Sequence, residues 1–168
     1  MTRSSHPARA GDPAAATAWG RADRVLFALA VLTLALIAVQ FALAGFGAFT
    51  MDKTPTDNVY GAHMVLGVVI GVMAWLILAT VLASRAARAH TRTLWLAAGV
   101  ALLALPVEPL LGDTGQHIPA LGALHAVNGL AIFALTGWLT GEMARRRVAA
   151  SEPGRAAVPA PPERAERR

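Results

Sequence analysis

The chain has 168 residues and a formal net charge of +5; 55% of the residues are hydrophobic, 15% are charged, and the mean hydropathy is +0.50. That excess of apolar residues over charge excludes an ordinary water-soluble domain of this size. The absence of cysteine also excludes disulfides, thiolate catalysis and cysteine-ligated zinc or iron–sulfur centres.

Residues 1–21 are rich in Ala, Ser, Pro, Gly and Arg and are expected to form a disordered tail. The first long apolar stretch follows at residues 25–49, "VLFALAVLTLALIAVQFALAGFGAF". It is about twice as long as a signal-peptide core and sits behind the tail, so it reads as a retained anchor. A second stretch covers residues 60–83, a third 94–112 and a fourth 119–141. Each approaches or exceeds the roughly 20 residues that a helix needs to cross about 30 Å of hydrocarbon. The third is interrupted by Pro106, Glu108 and Pro109. It reads as a span tilted or broken there, with a re-entrant hairpin as the alternative. The fourth ends against Arg145, Arg146 and Arg147, and residues 146–168 read as a second disordered tail rich in Pro and Arg. The expected fold is therefore all-α: a four-helix transmembrane bundle of up-down topology over residues 22–145.

Fourteen of the 15 Lys and Arg residues fall in the N-terminal stretch through Arg24, in the loop with Arg85, Arg88 and Arg92, and from Arg145 onward. The other two connections hold Lys53 against Asp52, Asp57, Glu108 and Asp113. Four spans with this alternation satisfy the positive-inside rule with both termini cytoplasmic, in a bacterial plasma membrane. The positive charge is thereby accounted for by topology and anionic lipid, and no nucleic-acid partner is expected.

The second and fourth stretches each carry one histidine near the outer boundary. "GAHMVLG" around His63 overlays "ALHAVNG" around His125, with Gly67 and Gly129 four residues beyond. Trp75 and Trp138 follow at nearly equal spacing. This suggests two repeated helical hairpins. Both histidines lie roughly 5–10 Å inside the boundary at about 1.5 Å per residue, so the imidazoles stand at one depth. The glycines at i+4 share the histidine face and leave room beside it for a flat ring, or permit close helix packing.

An ionisable side chain in the apolar layer marks a functional-site candidate. Zinc or copper would require three or four ligands, whereas heme needs only two axial ones and has an apolar body suited to a bundle. His63 and His125 are thus the expected metal ligands of one b-type heme, with Gly67 and Gly129 lining it and its propionates toward the outer side. Gln40, Tyr60, Glu108 and His117 are candidates for the surrounding shell.

The pattern "AHMVLG" and "LHAVNG" over residues 22–145 resembles one four-helix half of heme A synthase, in which histidines on the second and fourth helices face a heme. It is similar, too, to small four-helix membrane proteins of actinobacterial type. The resemblance implies a heme-binding half. In the half of that family that performs the oxidation, a carboxylate stands three residues before the histidine of the second helix; here that position is Tyr60, with Asp57 further back, and the outer-loop cysteine pair of some members has no counterpart.

The function expected from these residues is heme binding for electron transfer or heme handling. Its partners would be the lipid bilayer and a quinone or membrane redox protein, and a homodimer is compatible with the pattern. The competing reading is a non-catalytic structural or accessory subunit whose histidines bond between helices. A transporter ranks third, because the spans hold almost no charged lining residues.

Overall fold

A computed structural model describes residues 19–50 and 60–151. Most of both expected tails, together with Asp52, Lys53 and Asp57, lies outside the described residues. Helix α1 spans Arg21–Thr50, α2 Gly61–Ala83, the single turn α3 Arg85–Arg88, and α4 Thr91–Leu102. A π-helical turn over Leu103–Val107 joins α4 to α5, Glu108–Gly115, and α6 runs from Pro119 to Ser151. Residues 146–151 thus continue α6 instead of belonging to a tail, because their Arg and Ala residues are good helix formers.

Among the described residues, four helices are long and apolar enough to cross a membrane: α1, α2, the broken helix Thr91–Gly115, and α6. Only 17–28% of the most apolar window of each is buried inside the bundle. The remaining apolar surface needs a nonpolar solvent, which is what a lipid-embedded bundle has and a water-soluble one lacks. The third of these, Thr91–Gly115, is long and apolar enough to cross although its helix is broken at Leu105.

α1 packs on α2 and α6, and α4 likewise packs on α2 and α6. This places α2 and α6 at opposite corners of a four-helix square. The interior is layered. Leu26, Ala30, Ile77, Val81, Leu96, Ala97, Leu139 and Met143 fill the end that carries the arginines. Ile37, Ile70, Ala74, Val100, Ala101, Ala104 and Ile132 fill the middle. The buried hydroxyls of Thr33 and Thr136 donate to the carbonyls of Leu29 and Ile132, at 2.8 and 2.7 Å, so neither is left unpaired in the core.

The break in the third span has a definable cause. Pro106 supplies no N–H and its ring crowds the preceding turn. Leu105 becomes extended, at φ −161° and ψ 102°. Carbonyls released in this way are costly in an apolar medium unless donors reach them. Trp75 Nε1 on α2 donates to Leu105 O at 3.0 Å, and Asn128 Nδ2 on α6 donates to Leu103 O at 3.2 Å. The two neighbouring helices therefore clamp the break from both sides.

Candidate functional site

Beyond the middle core layer, the end of the bundle opposite the arginines holds a polar layer contributed by all four spans. His63 on α2 and His125 on α6 meet there across the diagonal, with ring centroids 6.3 Å apart and ring planes at 69°. Helical rotation is what brings them together: Ile70, Gly71, Ala74 and Ile77 turn one face of α2 inward, and Asn128, Ile132 and Thr136 do the same for α6.

Each imidazole is oriented from within its own hairpin. His63 Nδ1 lies 3.2 Å from Gln40 O, and His125 Nδ1 lies 3.2 Å from Glu108 O. A ring nitrogen facing a carbonyl must carry the proton, so Nδ1 is the donor in both rings. In the neutral imidazole this leaves Nε2 with its lone pair. The polar residue that supplies the carbonyl also uses its side chain. Gln40 Nε2 donates to His63 O at 2.9 Å and lies 3.4 Å from His63 Nε2. Glu108 Oε1 lies 3.4 Å from His125 Nδ1, and Glu108 Oε2 accepts from Asn128 Nδ2 at 2.5 Å.

The glycines make these approaches possible. A Cβ on Gly67 would stand 3.1 Å from Gln40 Nε2, and one on Gly129 would stand 3.3 Å from Glu108 Oε1 and 3.5 Å from Phe41. Gly67 and Gly129 therefore admit the polar partners of the histidines. Gly112 lets His125 approach α5 closely, since a Cβ there would be 3.2 Å from the ring. Tyr60 packs edge-on against His63 at 6.2 Å and closes over Gly47.

Six of the sequence candidates, His63, His125, Gly67, Gly129, Gln40 and Glu108, are brought together, and Tyr60 borders them. His117 is not: it is exposed in the turn between α5 and α6 and makes no ring contact with either histidine. Asn128 and Gly112 join the site without having been singled out in the sequence. Asn128 sits three residues after His125, the spacing that stacks two side chains on one helix face, and that was its only available signal. The two tryptophans are not equivalent. Trp75 clamps the helix break, whereas Trp138 lies under the Arg92 guanidinium at 4.5 Å.

Among the described residues no group of three or more His, Cys, Asp or Glu side chains is arranged to hold a metal ion. What the layer offers is a facing pair of imidazoles, each with Nδ1 held by a main-chain carbonyl, and with His63 Nε2 facing the Gln40 amide at 3.4 Å. No protein family matches this chain, and neither a curated protein nor a solved structure matches it.

Proposed function

We propose that this protein holds one b-type heme between His63 and His125, for electron transfer or heme handling in a bacterial plasma membrane, with both termini cytoplasmic and the heme near the outer leaflet. The observation that carries the reading is the facing pair with both Nδ1 atoms engaged by carbonyls. Metal-bound histidines characteristically donate their other N–H to a carbonyl or carboxylate, which fixes the ring and presents Nε2. Two imidazoles sharing one iron are spaced roughly 6 Å centre to centre, from bonds of about 2 Å and ring radii of about 1 Å. The 6.3 Å separation fits that requirement.

Gln40 is the side chain that has to yield. Its amide lies at His63 Nε2, so ligation at that nitrogen and the 3.4 Å amide contact exclude each other. Rotation of Gln40 releases the nitrogen, and His63 stays oriented by the main-chain carbonyl of Gln40. A bound heme supplies one-electron chemistry at its iron. The chain's own residues would fix both rings, with each Nδ1 donating to a main-chain carbonyl. A quinone or a membrane redox protein is the proposed exchange partner.

Expression in a heme-replete host should yield a protein with a Soret band and a sharp reduced α band, both lost in His63→Ala and His125→Ala. A colourless parent protein that is folded and stable sinks the proposal.

A structural or accessory role is the second reading, favoured by one observation. His125 Nδ1, Asn128 and Trp75 together satisfy carbonyls in and next to the broken third span, which is a stabilising task in itself. On that reading His63→Gln and His125→Gln leave yield and thermal stability unchanged, with no chromophore in any variant.

A further inference from the structure

Every arginine among the described residues lies at the end of the bundle away from the histidines, and the part of that end between α4 and α6 is a built cluster. Arg92, in the first turn of α4, places its guanidinium 4.5 Å from the centre of the Trp138 ring on α6 and has no hydrogen-bond acceptor among the described residues. Glu142 stands four residues after Trp138, on the same side of α6. Its carboxylate is shared by Arg145 at 2.7 Å and Arg146 at 3.5 Å, and Arg92 is close enough to act on it as well. Arg146 donates through Nη2 to Thr93 on α4, while its Nη1 is buried without a partner. Three guanidinium groups therefore surround one carboxylate, an arrangement with two positive charges in excess and too few acceptors for its N–H groups.

The membrane side of the cluster is apolar and open. Trp138 is 48% exposed, and Trp95, three residues after Arg92 on α4, is 71% exposed. Residues three apart share a helix face, so Arg92 and Trp95 look outward together. Exposed tryptophans next to arginines mark the boundary where lipid headgroups meet hydrocarbon. We propose that Arg92, Arg146, Trp95 and Trp138 form a site for one anionic phospholipid, its phosphate held by the two guanidinium groups and its acyl chains lying along α4 and α6 below the rings. A phosphodiester brings the acceptors that the cluster lacks, in a shape that guanidinium groups match. Free phosphate would meet the same donors and leave both rings without a partner, whereas a lipid satisfies donors and rings at once. A zwitterionic lipid carries its own ammonium into a cluster that is already positive, which is why the site selects a net anionic headgroup. The site is at the opposite end of the bundle from the histidine layer and is independent of heme.

The test uses the full-length protein, delipidated in a neutral detergent and titrated with dioleoyl phosphatidylglycerol or dioleoyl phosphatidylcholine, with bound lipid counted by native mass spectrometry. One phosphatidylglycerol should be held in preference to phosphatidylcholine. Arg92→Gln, a change at an exposed side chain, should lower that preference by about fivefold, the loss expected for one arginine at a lipid headgroup. Arg24→Gln removes the same charge from α1, which stands diagonally across the bundle from α4, and should leave the preference unchanged. Equal affinity of the parent protein for the two lipids overturns the proposal. So does an undiminished preference in Arg92→Gln, or a loss in Arg24→Gln as large as that in Arg92→Gln, which would reduce the effect to net charge. Release of the bound lipid by inorganic phosphate in large excess would overturn the assignment to lipid.

Discussion

At the scale of single residues, the two glycines near the end of α1 make opposite predictions. A Cβ on Gly45 would find nothing within 4 Å, whereas one on Gly47 would collide with the Tyr60 ring, its nearest atom 2.5 Å away. Gly45→Ala should therefore be neutral or stabilise by up to about 1 kcal/mol through helix propensity. Gly47→Ala should destabilise by about 1–3 kcal/mol, because an aromatic ring wedged between helices has to shift as a unit. Thermal unfolding in detergent, followed by circular dichroism, separates the two. Equal transition temperatures would show that Tyr60 is free to move away. Asn128 invites a similar argument. Asn128→Leu leaves Glu108 Oε2 without its donor and Leu103 O with only the main-chain N–H of Glu108, and an unpaired acceptor costs about 1–3 kcal/mol. A large fall in unfolding temperature is the expected outcome.

At the scale of elements, the third span shows how a broken helix is kept in an apolar setting. Trp75→Phe preserves most of the ring's bulk and deletes the N–H that reaches Leu105 O. It should cost about 1–3 kcal/mol. Trp138→Phe removes the better of two possible rings from under Arg92 and should cost less, within the roughly 0.5–1 kcal/mol of an exposed cation–π contact. Side-by-side melts of the two variants give the ranking, and a reversal would mean that the break is held by packing alone. These elements also show what the sequence can reveal. Length and apolarity locate four spans, and Pro106 marks the break, because both are local properties of the chain. Which donors reach the freed carbonyls depends on how three helices are rotated about their axes. Hydrophobic pattern fixes that rotation poorly here, since the lipid-facing and core-facing sides are almost equally apolar. Trp75 and Trp138 therefore look like a repeated pair in the sequence while doing different things. The histidines were legible because a titratable group stands out against such a background. Asn128, a neutral amide, did not.

At the scale of the whole molecule, the arginines and histidines divide the bundle into two unlike ends. Arg146 on α6 donates to Thr93 on α4 at 2.6 Å, which ties the two helices at the arginine end, while Glu142 on α6 steadies the same guanidinium at 3.5 Å. The histidine layer ties all four spans at the other. The proposed topology makes the ends separable by chemistry. Since the chain has no cysteine, a single introduced one reports on one position. His90→Cys and Ser151→Cys, both exposed at the arginine end, should react with a membrane-impermeant thiol reagent only after the cytoplasmic face is opened, whereas His117→Cys should react in intact cells. The opposite pattern would invert the orientation.

The diagonal placement of α2 and α6 bears on how such a protein is made. Hairpins enter a bilayer in order of synthesis, so His63 is embedded before His125 has a helix to sit on. Each imidazole nevertheless has its hydrogen-bond acceptor inside its own hairpin, Gln40 for the first and Glu108 for the second. Neither half exposes an unsatisfied ring N–H to lipid while it waits for the other, a state that would cost several kcal/mol. The site across the diagonal then forms last, when two hairpins whose imidazoles are already paired dock against each other.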